Sequence, residues 1–290
     1  MKNNEYLTSF VDYLKEEGKS EGTIKGYESD VKMFLVFYNK ELRNLKHDDI
    51  NGFRDFLRVE RQYKTSSINR KLIGLKQFLS FLNERFELGI STKVRQERVQ
   101  KKYTLKDDEL LTIKDYEKIT AVVNETGDLK TKAMFEAMYD TGMRVSEMLQ
   151  LRIDHVKTRK PVIEDIKGKG NKYREIYPSE ELYDTLEAYL KVRKQPYSST
   201  TKLLFVGERG PSTRHAVHAQ VKKYAEKAGV DAKKAHAHNF RHLFGKELAR
   251  LGFTIDEIAS LMGHSSIETT RIYLMKSQSH FINKKKKLRG

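Results

Sequence analysis

Apolar residues recur every three or four positions through the first eighty-odd residues, a spacing that predicts helices. Four stretches carry this pattern, and polar residues typical of helix starts stand before them, as at Ser20 and Thr65. The four apolar stripes are Tyr6, Phe10 and Leu14; Ile24, Val31, Phe34, Leu35 and Tyr38; Ile50, Phe53 and Leu57; and Ile68, Leu72, Leu75, Leu79 and Leu82. Together they predict a small helical domain over residues 1–88.

The helical pattern stops at residues 89–107, where basic residues take over. This stretch carries Lys93, Arg95, Arg98, Lys101 and Lys102. Its composition fits a solvated connector equally well, but we expect a basic linker between two domains.

Helical periodicity returns near residue 108 and continues to about residue 275, with one interruption. From residue 153 onwards, β-branched and aromatic residues cluster, first at Val156 and then in PVIEDI (161–166) and YREIY (173–177). KGKGNK (167–172) between the last two runs predicts a glycine-rich hairpin turn. The fold class is therefore mainly α with a small β-hairpin (α+β), and residues 276–290 form a basic C-terminal tail.

Composition narrows the possible functions. The chain of 290 residues has 56 Lys and Arg against 40 Asp and Glu, a net charge of +16, which favours a polyanionic partner such as nucleic acid. It contains no cysteine, which excludes disulfide scaffolds, iron–sulfur clusters and thiol catalysis. No apolar run has the length of a signal peptide or a membrane span, so we expect a cytoplasmic protein.

Cationic and proton-transfer residues concentrate in four segments. These segments contain Arg144; Lys169; His238 with Arg241; and His264 with Tyr273. The set suits phosphoryl transfer from DNA to a tyrosine without a metal ion. Arginine forks bind phosphate oxygens bidentately, a lysine can protonate the departing 5′ oxygen, and an imidazole can accept the phenolic proton.

Four segments resemble the conserved boxes of the tyrosine recombinase (phage integrase) family: TGMRVSEMLQL, IKGKGNKYREIYP, HNFRH and LMGHSSIETTRIY. They fall in family order and at family spacing. The stretch TSSINRKLIGLKQFLSFL is similar to the last major helix of the family's helical core-binding domain. The resemblance covers nearly the whole chain, and it implies a core-binding domain at residues 1–88 and a catalytic domain at residues 108–275.

The resemblance also implies roles for single residues. Tyr273 is the nucleophile and Lys169 the general acid. Arg144 and Arg241 bind the scissile phosphate, and Glu147, one turn after Arg144, orients that first arginine. No cofactor, metal or ATP is implied.

His238 matches the histidine of the H-x-x-R box, as a base or phosphate ligand, and His264 matches a position that hydrogen-bonds the phosphate or the tyrosine. Two positions depart from the family pattern, Leu243 in place of a small hydroxyl residue and Tyr177 in place of an apolar one. His242, four residues after His238, could form a metal pair with it, but the sequence offers no third ligand. We therefore interpret His242 as structural.

The implied partner is double-stranded DNA with paired inverted half-sites, held in a clamp of both domains and the linker. The candidate DNA-reading residues of the N-terminal helices are Thr23, Tyr27, Ser67, Arg70 and Lys71. In the family a segment beyond the nucleophile docks on a neighbouring protomer, so the C-terminal tail is a candidate for assembling a tetrameric synapse. On DNA, the protein would be associated with the nucleoid.

The resemblance favours a compact Xer-like or transposon resolvase-type recombinase that works through a Holliday junction. Such an enzyme would integrate, excise or resolve a mobile element or a replicon dimer. Two other classes stay open: a strand transferase of the type IB topoisomerase or telomere resolvase kind, and a DNA-binding regulator without catalysis. A monomer that relaxes supercoils would indicate the topoisomerase, and binding without a covalent adduct would indicate the regulator.

Overall fold

The structure is a computed structural model that describes residues 3–97, 107–168, 173–197, 200–264 and 266–274. The chain divides into two compact units, residues 1–101 and 102–290. Among the helices in the described ranges, none is long and apolar enough to cross a membrane.

The N-terminal unit contains the four helices that the apolar stripes predict. They are α1 (Asn3–Glu16), α2 (Glu21–Tyr38), α3 (His47–Val59) and α4 (Thr65–Phe86), with a short 3-10 turn at Leu42–Asn44. The residues of the four stripes are buried and form one core. Ser20 accepts a hydrogen bond from the backbone of Thr23 and so caps the start of α2.

Helices α2 and α4 cross closely around a buried carboxylate. A Cβ on Gly74 would lie 3.2 Å from both Asp30 Oδ2 and Tyr27 Cδ1, so glycine permits the close approach. Asp30 is fully buried and accepts hydrogen bonds from Arg70 Nη2 at 2.8 Å and Lys71 Nζ at 3.0 Å. This ion cluster fixes the crossing of the two helices.

The chain after α4 runs back along that helix in an extended form. The side chain of Asn83 exchanges two hydrogen bonds with the backbone of Ile90, and Asn69 does the same with Glu97. Arg58 also pairs with Glu97. Seven extended residues cover about 23 Å, and the fourteen helical residues between the two asparagines cover about 21 Å, so the spacings match. The first part of the predicted linker is therefore bound to the N-terminal unit.

The C-terminal unit is mainly helical around one hairpin. Its elements are α5 (Ile113–Glu125), α6 (Leu129–Thr141), α7 (Val145–Met148), α8 (Ile153–Thr158), β1 (Ile163–Lys167), β2 (Tyr173–Ile176), α9 (Glu180–Val192), α10 (Arg214–Lys227), α11 (Ala237–Arg250), α12 (Ile255–Met262) and α13 (Ile267–Leu274). Strands β1 and β2 pair antiparallel, with Ile166 opposite Arg174. The expected α+β class with a small hairpin is confirmed.

The expectation of strand-like structure from residue 153 is wrong for its first part. Residues 153–158 form the helix α8, which buries Val156 and His155 against the core. The His155 ring accepts a hydrogen bond from the Arg152 backbone at the start of this helix. One β-branched residue is weak evidence for a strand, because packing overrides such local preferences.

Two apolar clusters divide the C-terminal unit. The larger one is the main core and includes the fully buried Phe135, Phe205 and Phe240. The smaller one joins α11, α12 and α13 through the buried Leu248, Ile258, Met262 and Tyr273. The predicted nucleophile thus lies in a small cluster of its own, against the second half of α11.

Candidate active site

Arg144 is placed by a sharp turn between α6 and α7. Gly142 ends α6 with a φ of 59°, and a Cβ there would lie 2.2 Å from Phe244 Cδ1. Only glycine meets both the backbone conformation and the close contact. This turn leaves Arg144 at the start of α7 with 29% of its side chain exposed.

Glu147 holds two guanidinium groups with one carboxylate. It is fully buried and accepts hydrogen bonds from the Arg144 backbone at 2.9 Å and from Arg144 Nη1 at 2.7 Å. Its other partner is Arg174, whose Nε lies 3.3 Å away. The position predicted to orient Arg144 does contact it, and it joins a second arginine to the same cluster.

Arg174 was missed because the sequence reading treated YREIY only as a strand. The strand register indicates which way this side chain points. Arg174 lies opposite the fully buried Ile166, and the buried Ile176 follows two residues later on the same strand. Cross-strand partners and residues two apart point to one face of a hairpin, so this arginine had to face the interior. Buried arginines are rare unless they are paired, which marks such a position as special.

Arg241 is buried to 1% exposure and is anchored by the ends of two helices. Its Nη1 donates to the carbonyl of Gly142 at 2.6 Å, at the end of α6, and its Nη2 donates to the carbonyl of Met262, the last residue of α12. Helix C-termini carry partial negative charge, which favours a cation there. Burial, together with the charges of Arg144 and Arg174, lowers the pKa of Arg241 to about 9.

The end of α12 also anchors Arg174. Its Nη1 donates to the Leu261 carbonyl at 2.9 Å. Gly263 then ends the helix with a φ of 59°, and a Cβ there would lie 2.6 Å from Arg174 Cδ. The Nη2 of Arg174 is buried without a hydrogen-bond partner in the described part of the chain.

The three arginines therefore share a surplus of positive charge. Among the described residues, Glu147 is the carboxylate that pairs with Arg144 and Arg174, while Arg241 donates to neutral carbonyls. A buried charge needs a nearby charge of opposite sign. The pKa of Arg241 is lowered because burial and the neighbouring arginines outweigh the negative charge of Glu147. The arrangement is suited to binding an anion with several oxygens.

Tyr273 lies beside this cluster on α13 and is 7% exposed. Its ring packs on α11 at Gly245, where a Cβ would lie 2.9 Å from Tyr273 Cζ. Its hydroxyl is 3.1 Å from Nδ1 of His242. Burial raises the pKa of Tyr273 to about 12, although the charges of Arg241 and Arg144 favour the phenolate and limit this rise.

The two predicted histidines differ in their contacts: the ring of His264 packs against Tyr273, and that of His238 packs against His242. His264 Nδ1 is 2.8 Å from the hydroxyl of Thr270, and its ring lies nearly parallel to that of Tyr273. Burial and the neighbouring arginines lower the pKa of His264 to about 3. His238 is exposed, and desolvation and the charges of Arg241 and Arg144 lower its pKa. Both rings are neutral at pH 7.

His242 contacts the predicted nucleophile, which the sequence reading did not anticipate. The sequence favours a structural role for His242, because it offers no third ligand to a metal pair with His238. The two rings are perpendicular with centroids 4.6 Å apart, and His242 Nδ1 faces the Tyr273 hydroxyl. No group of three metal-ligating side chains occurs within the described ranges.

Several predicted residues lie outside the described residues. They are Lys169, Arg98, Lys101, Lys102 and the whole tail 276–290. Their roles stay predictions.

The predicted DNA-reading residues of the N-terminal unit differ in exposure. Arg70 is exposed beside Asp30, whereas Lys71 is buried and held by Asp30, with 10% of its side chain exposed. Thr23, Tyr27 and Ser67 are half-buried, so parts of them reach the surface of α2 and α4. Lys93 and Arg95, in the segment bound along α4, are exposed.

Comparison with known proteins identifies the family. Residues 109–280 match the model of the phage integrase family, and residues 7–85 match the phage integrase N-terminal SAM-like domain. The chain belongs to the phage integrase family of tyrosine recombinases. It is 30% identical over 288 residues to tyrosine recombinase XerC of Leptospira interrogans, covering 95% of this chain and 90% of that protein. It is likewise 30% identical to tyrosine recombinase XerD of Haemophilus ducreyi, over 92% of this chain and 91% of that one.

Two solved protein–DNA complexes share the fold of this chain. The XerH recombinase bound to a palindromic difH substrate matches 92% of this chain and 80% of its own, with a TM-score of 0.70 and 21% identity. A lambda integrase dimer bound to a COC′ core site matches 93% of this chain and 94% of its own, with a TM-score of 0.73 and 15% identity. The predicted N-terminal helical domain and catalytic fold of the family are thereby confirmed.

Proposed function

We propose that this recombinase cuts and rejoins double-stranded DNA at specific sites through a covalent 3′-phosphotyrosine bond to Tyr273. The observation that carries the proposal is the surplus positive charge of Arg144, Arg174 and Arg241 next to a buried phenol. A phosphodiester supplies the missing negative charge. Its transition state gains charge on the non-bridging oxygens, where fixed guanidinium groups stabilise it most.

The geometry assigns parts of this reaction to particular side chains. Arg144 keeps part of its guanidinium exposed while Glu147 fixes it, so it can bind one phosphate oxygen. Arg241 makes its carbonyl bonds through Nη1 and Nη2, and a guanidinium has five N–H donors in all, so donors remain for a second oxygen. His264, held through Nδ1 by Thr270, has its other ring nitrogen available to the phosphate.

The departing 5′ oxygen takes its proton from Lys169 in this proposal. The phosphotyrosine bond conserves the energy of the phosphodiester, so the strand is resealed without ATP, and arginines take the place of a metal ion. Two rounds of exchange between duplexes pass through a Holliday junction, within four protomers on paired inverted half-sites. The C-terminal tail would link neighbouring protomers.

The relatives support a DNA partner and a site-specific reaction. XerC and XerD relatives align with almost the entire chain, and the matching XerH and lambda integrase structures are complexes with their DNA sites. We propose integration, excision or resolution of a mobile element or a replicon dimer as the biological reaction. Transposon integrases among the similar folds fit a mobile element.

Covalent trapping tests the proposal. Nicked duplexes, tiled across the DNA that flanks the gene, are incubated with the protein in chelator and without ATP. Tyr273→Phe is compared with Tyr197→Phe, a control at a tyrosine that is 94% exposed. We expect an SDS-resistant 3′ adduct with the wild type and the control, and none with Tyr273→Phe.

Other outcomes separate the competing functions. An adduct that survives Tyr273→Phe would identify another nucleophile. Sequence-specific binding without an adduct on any tile would favour a regulator. Relaxation of supercoils by a monomer, without a specific site, would favour a topoisomerase.

A further inference from the structure

His242 contacts the reacting atom of the proposed nucleophile. Its Nδ1 is 3.1 Å from the Tyr273 hydroxyl, and the ring centroids are 5.7 Å apart. The contact is set by helix packing, because Gly245, three residues further along α11, lets the tyrosine ring lie against that helix. The imidazole is therefore within hydrogen-bond distance of the proton that must leave.

We propose that His242 is the general base that removes the proton of Tyr273 as the phenol attacks the scissile phosphate. The assignment rests on the proposed strand-transfer function and names one further catalytic residue for it. The resemblance implies that His238 is the base or a phosphate ligand. His238 is exposed, and its ring contacts that of His242 at a right angle. In the new assignment, His238 serves as a phosphate ligand.

The proton balance of the step is complete. The Tyr273 O–H bond breaks, and its proton moves to Nδ1 of His242, which becomes an imidazolium. The phenolic oxygen forms the new bond to phosphorus, the bond from phosphorus to the 5′ oxygen breaks, and that oxygen is protonated by the general acid. During rejoining, the imidazolium returns its proton to the phenolic oxygen.

The surroundings keep His242 neutral, and in the tautomer that carries its proton on Nε2 the Nδ1 atom accepts the phenolic proton. Burial and the charges of neighbouring cations lower the pKa of His242 to about 4, so the ring is neutral at pH 7. A phosphate bound to Arg241 offsets that positive field, which raises the pKa of the imidazole when the substrate arrives. Within the described ranges, several groups face His242. They are His238, Arg241 and Lys246 on α11, Tyr273 on α13, and Glu109, Lys233 and His236 around a cavity.

That cavity provides a way to test the base directly. It has a volume of about 400 Å³ and is lined by His242, Asn239, His236, Lys233, Leu110 and Glu109. Shortening His242 to alanine would connect the cavity to the Tyr273 hydroxyl. A small base dissolved in the buffer could then occupy the place of the missing ring.

The experiment measures single-turnover adduct formation on the nicked duplex that the wild type cleaves. The variants are His242→Asn, which keeps a polar group near the Nδ1 position but cannot take the proton, and His242→Ala. His236→Ala is the control, a histidine of the same cavity without contact to the tyrosine. Melting temperature and DNA affinity are measured for each variant. We expect both His242 variants to be slower by about 10²-fold or more, and the control to be unchanged.

Two further readouts separate a base from a structural contact. Added imidazole should restore adduct formation in His242→Ala but not in His242→Asn, and more basic imidazoles should restore more. A substrate with sulfur in place of the bridging 5′ oxygen needs no general acid, because a thiolate leaves readily. The defect of His242→Asn should persist on it, whereas a Lys169→Ala defect should disappear.

Three results would overturn the assignment. Wild-type rates in His242→Asn would leave the imidazole without a role in proton transfer. Failure of imidazole to accelerate a folded, DNA-binding His242→Ala would assign the residue to packing. No adduct from the wild type would reject the strand-transfer function and this role with it, whereas an active wild type with an active His242→Asn rejects this role alone.

Discussion

Each unit of this recombinase buries a carboxylate among cations, but the two clusters are built differently. In the N-terminal unit, Asp30 lies between Arg70 and Lys71 at the crossing of α2 and α4. In the catalytic unit, Glu147 contacts Arg144 and Arg174. The hydrogen bonds of Arg241 to described residues go to carbonyls, and its pKa is lowered to about 9. The catalytic cluster thus has one fully buried arginine without a carboxylate.

The difference separates a cluster that stabilises a helix crossing from one whose charges fit the proposed binding of a phosphate. Arg70 keeps about half of its side chain in solvent, so water supports its charge at the N-terminal crossing. Arg241 is 1% exposed and has no such support. A buried cation that lacks a nearby negative charge costs folding free energy, and such a cost fits the proposed phosphate site.

The largest expected effect comes from replacing Arg241 with lysine. A single ammonium group cannot contact the carbonyls of Gly142 and Met262 and also present a fork to a phosphate. We expect Arg241→Lys to slow single-turnover adduct formation by about 10²- to 10³-fold. Arg250→Lys, at an exposed arginine of the same helix, is the control and should remain near the wild-type rate. An active Arg241→Lys would show that charge alone suffices at this position.

Replacing each buried carboxylate by its neutral amide tests whether the Asp30 and Glu147 clusters differ in their roles. Asp30→Asn and Glu147→Gln should each lower the free energy of unfolding by about 3 kcal/mol, because the first leaves the buried Lys71 and the second the buried Arg174 without its carboxylate. Urea denaturation measures this loss. Their effects on cleavage at saturating DNA should differ: Glu147→Gln should cleave at least about tenfold more slowly, and Asp30→Asn should cleave at the wild-type rate. Equal cleavage defects in the two folded variants would remove the distinction between the clusters.

Acid should lower the free energy of unfolding, because folding keeps the imidazoles of the catalytic unit neutral. The pKa of His242 is lowered to about 4 and that of His264 to about 3, whereas an unfolded histidine titrates near 6.5. Between these values the unfolded chain binds more protons, so stability is full above about pH 6.5 and falls as the pH drops. At pH 5, each histidine should cost about 2 kcal/mol relative to pH 7.5.

Urea denaturation at pH 7.5 and pH 5 measures the sign and the size of this change in the free energy of unfolding. His242→Asn should remove about half of the loss that the two histidines cause together. An unchanged pH dependence in this variant would mean that the imidazole of His242 is not kept neutral by folding.

Local sequence signals determined much of this fold. The apolar spacing located the four N-terminal helices, because a helix that packs on one face must repeat its apolar residues every three to four positions. The Thr-Gly pair before Arg144 marked a helix end for a similarly local reason, since a positive φ favours glycine. The strand predicted around Val156 is a helix, because one β-branched residue does not show whether its segment packs as a strand or as a helix.

By itself, the sequence determined the family, the helical character of both units and the set of residues suited to phosphoryl transfer. Tertiary structure alone decided which of them meet: that Arg174 joins Arg144 on Glu147, that carbonyls from two helix ends hold Arg241, and that His242 faces Tyr273. The physical reason is distance along the chain. Residues 174 and 147, or 242 and 273, lie on different elements, and only the packing of those elements sets their separation and the burial that shifts their pKa values.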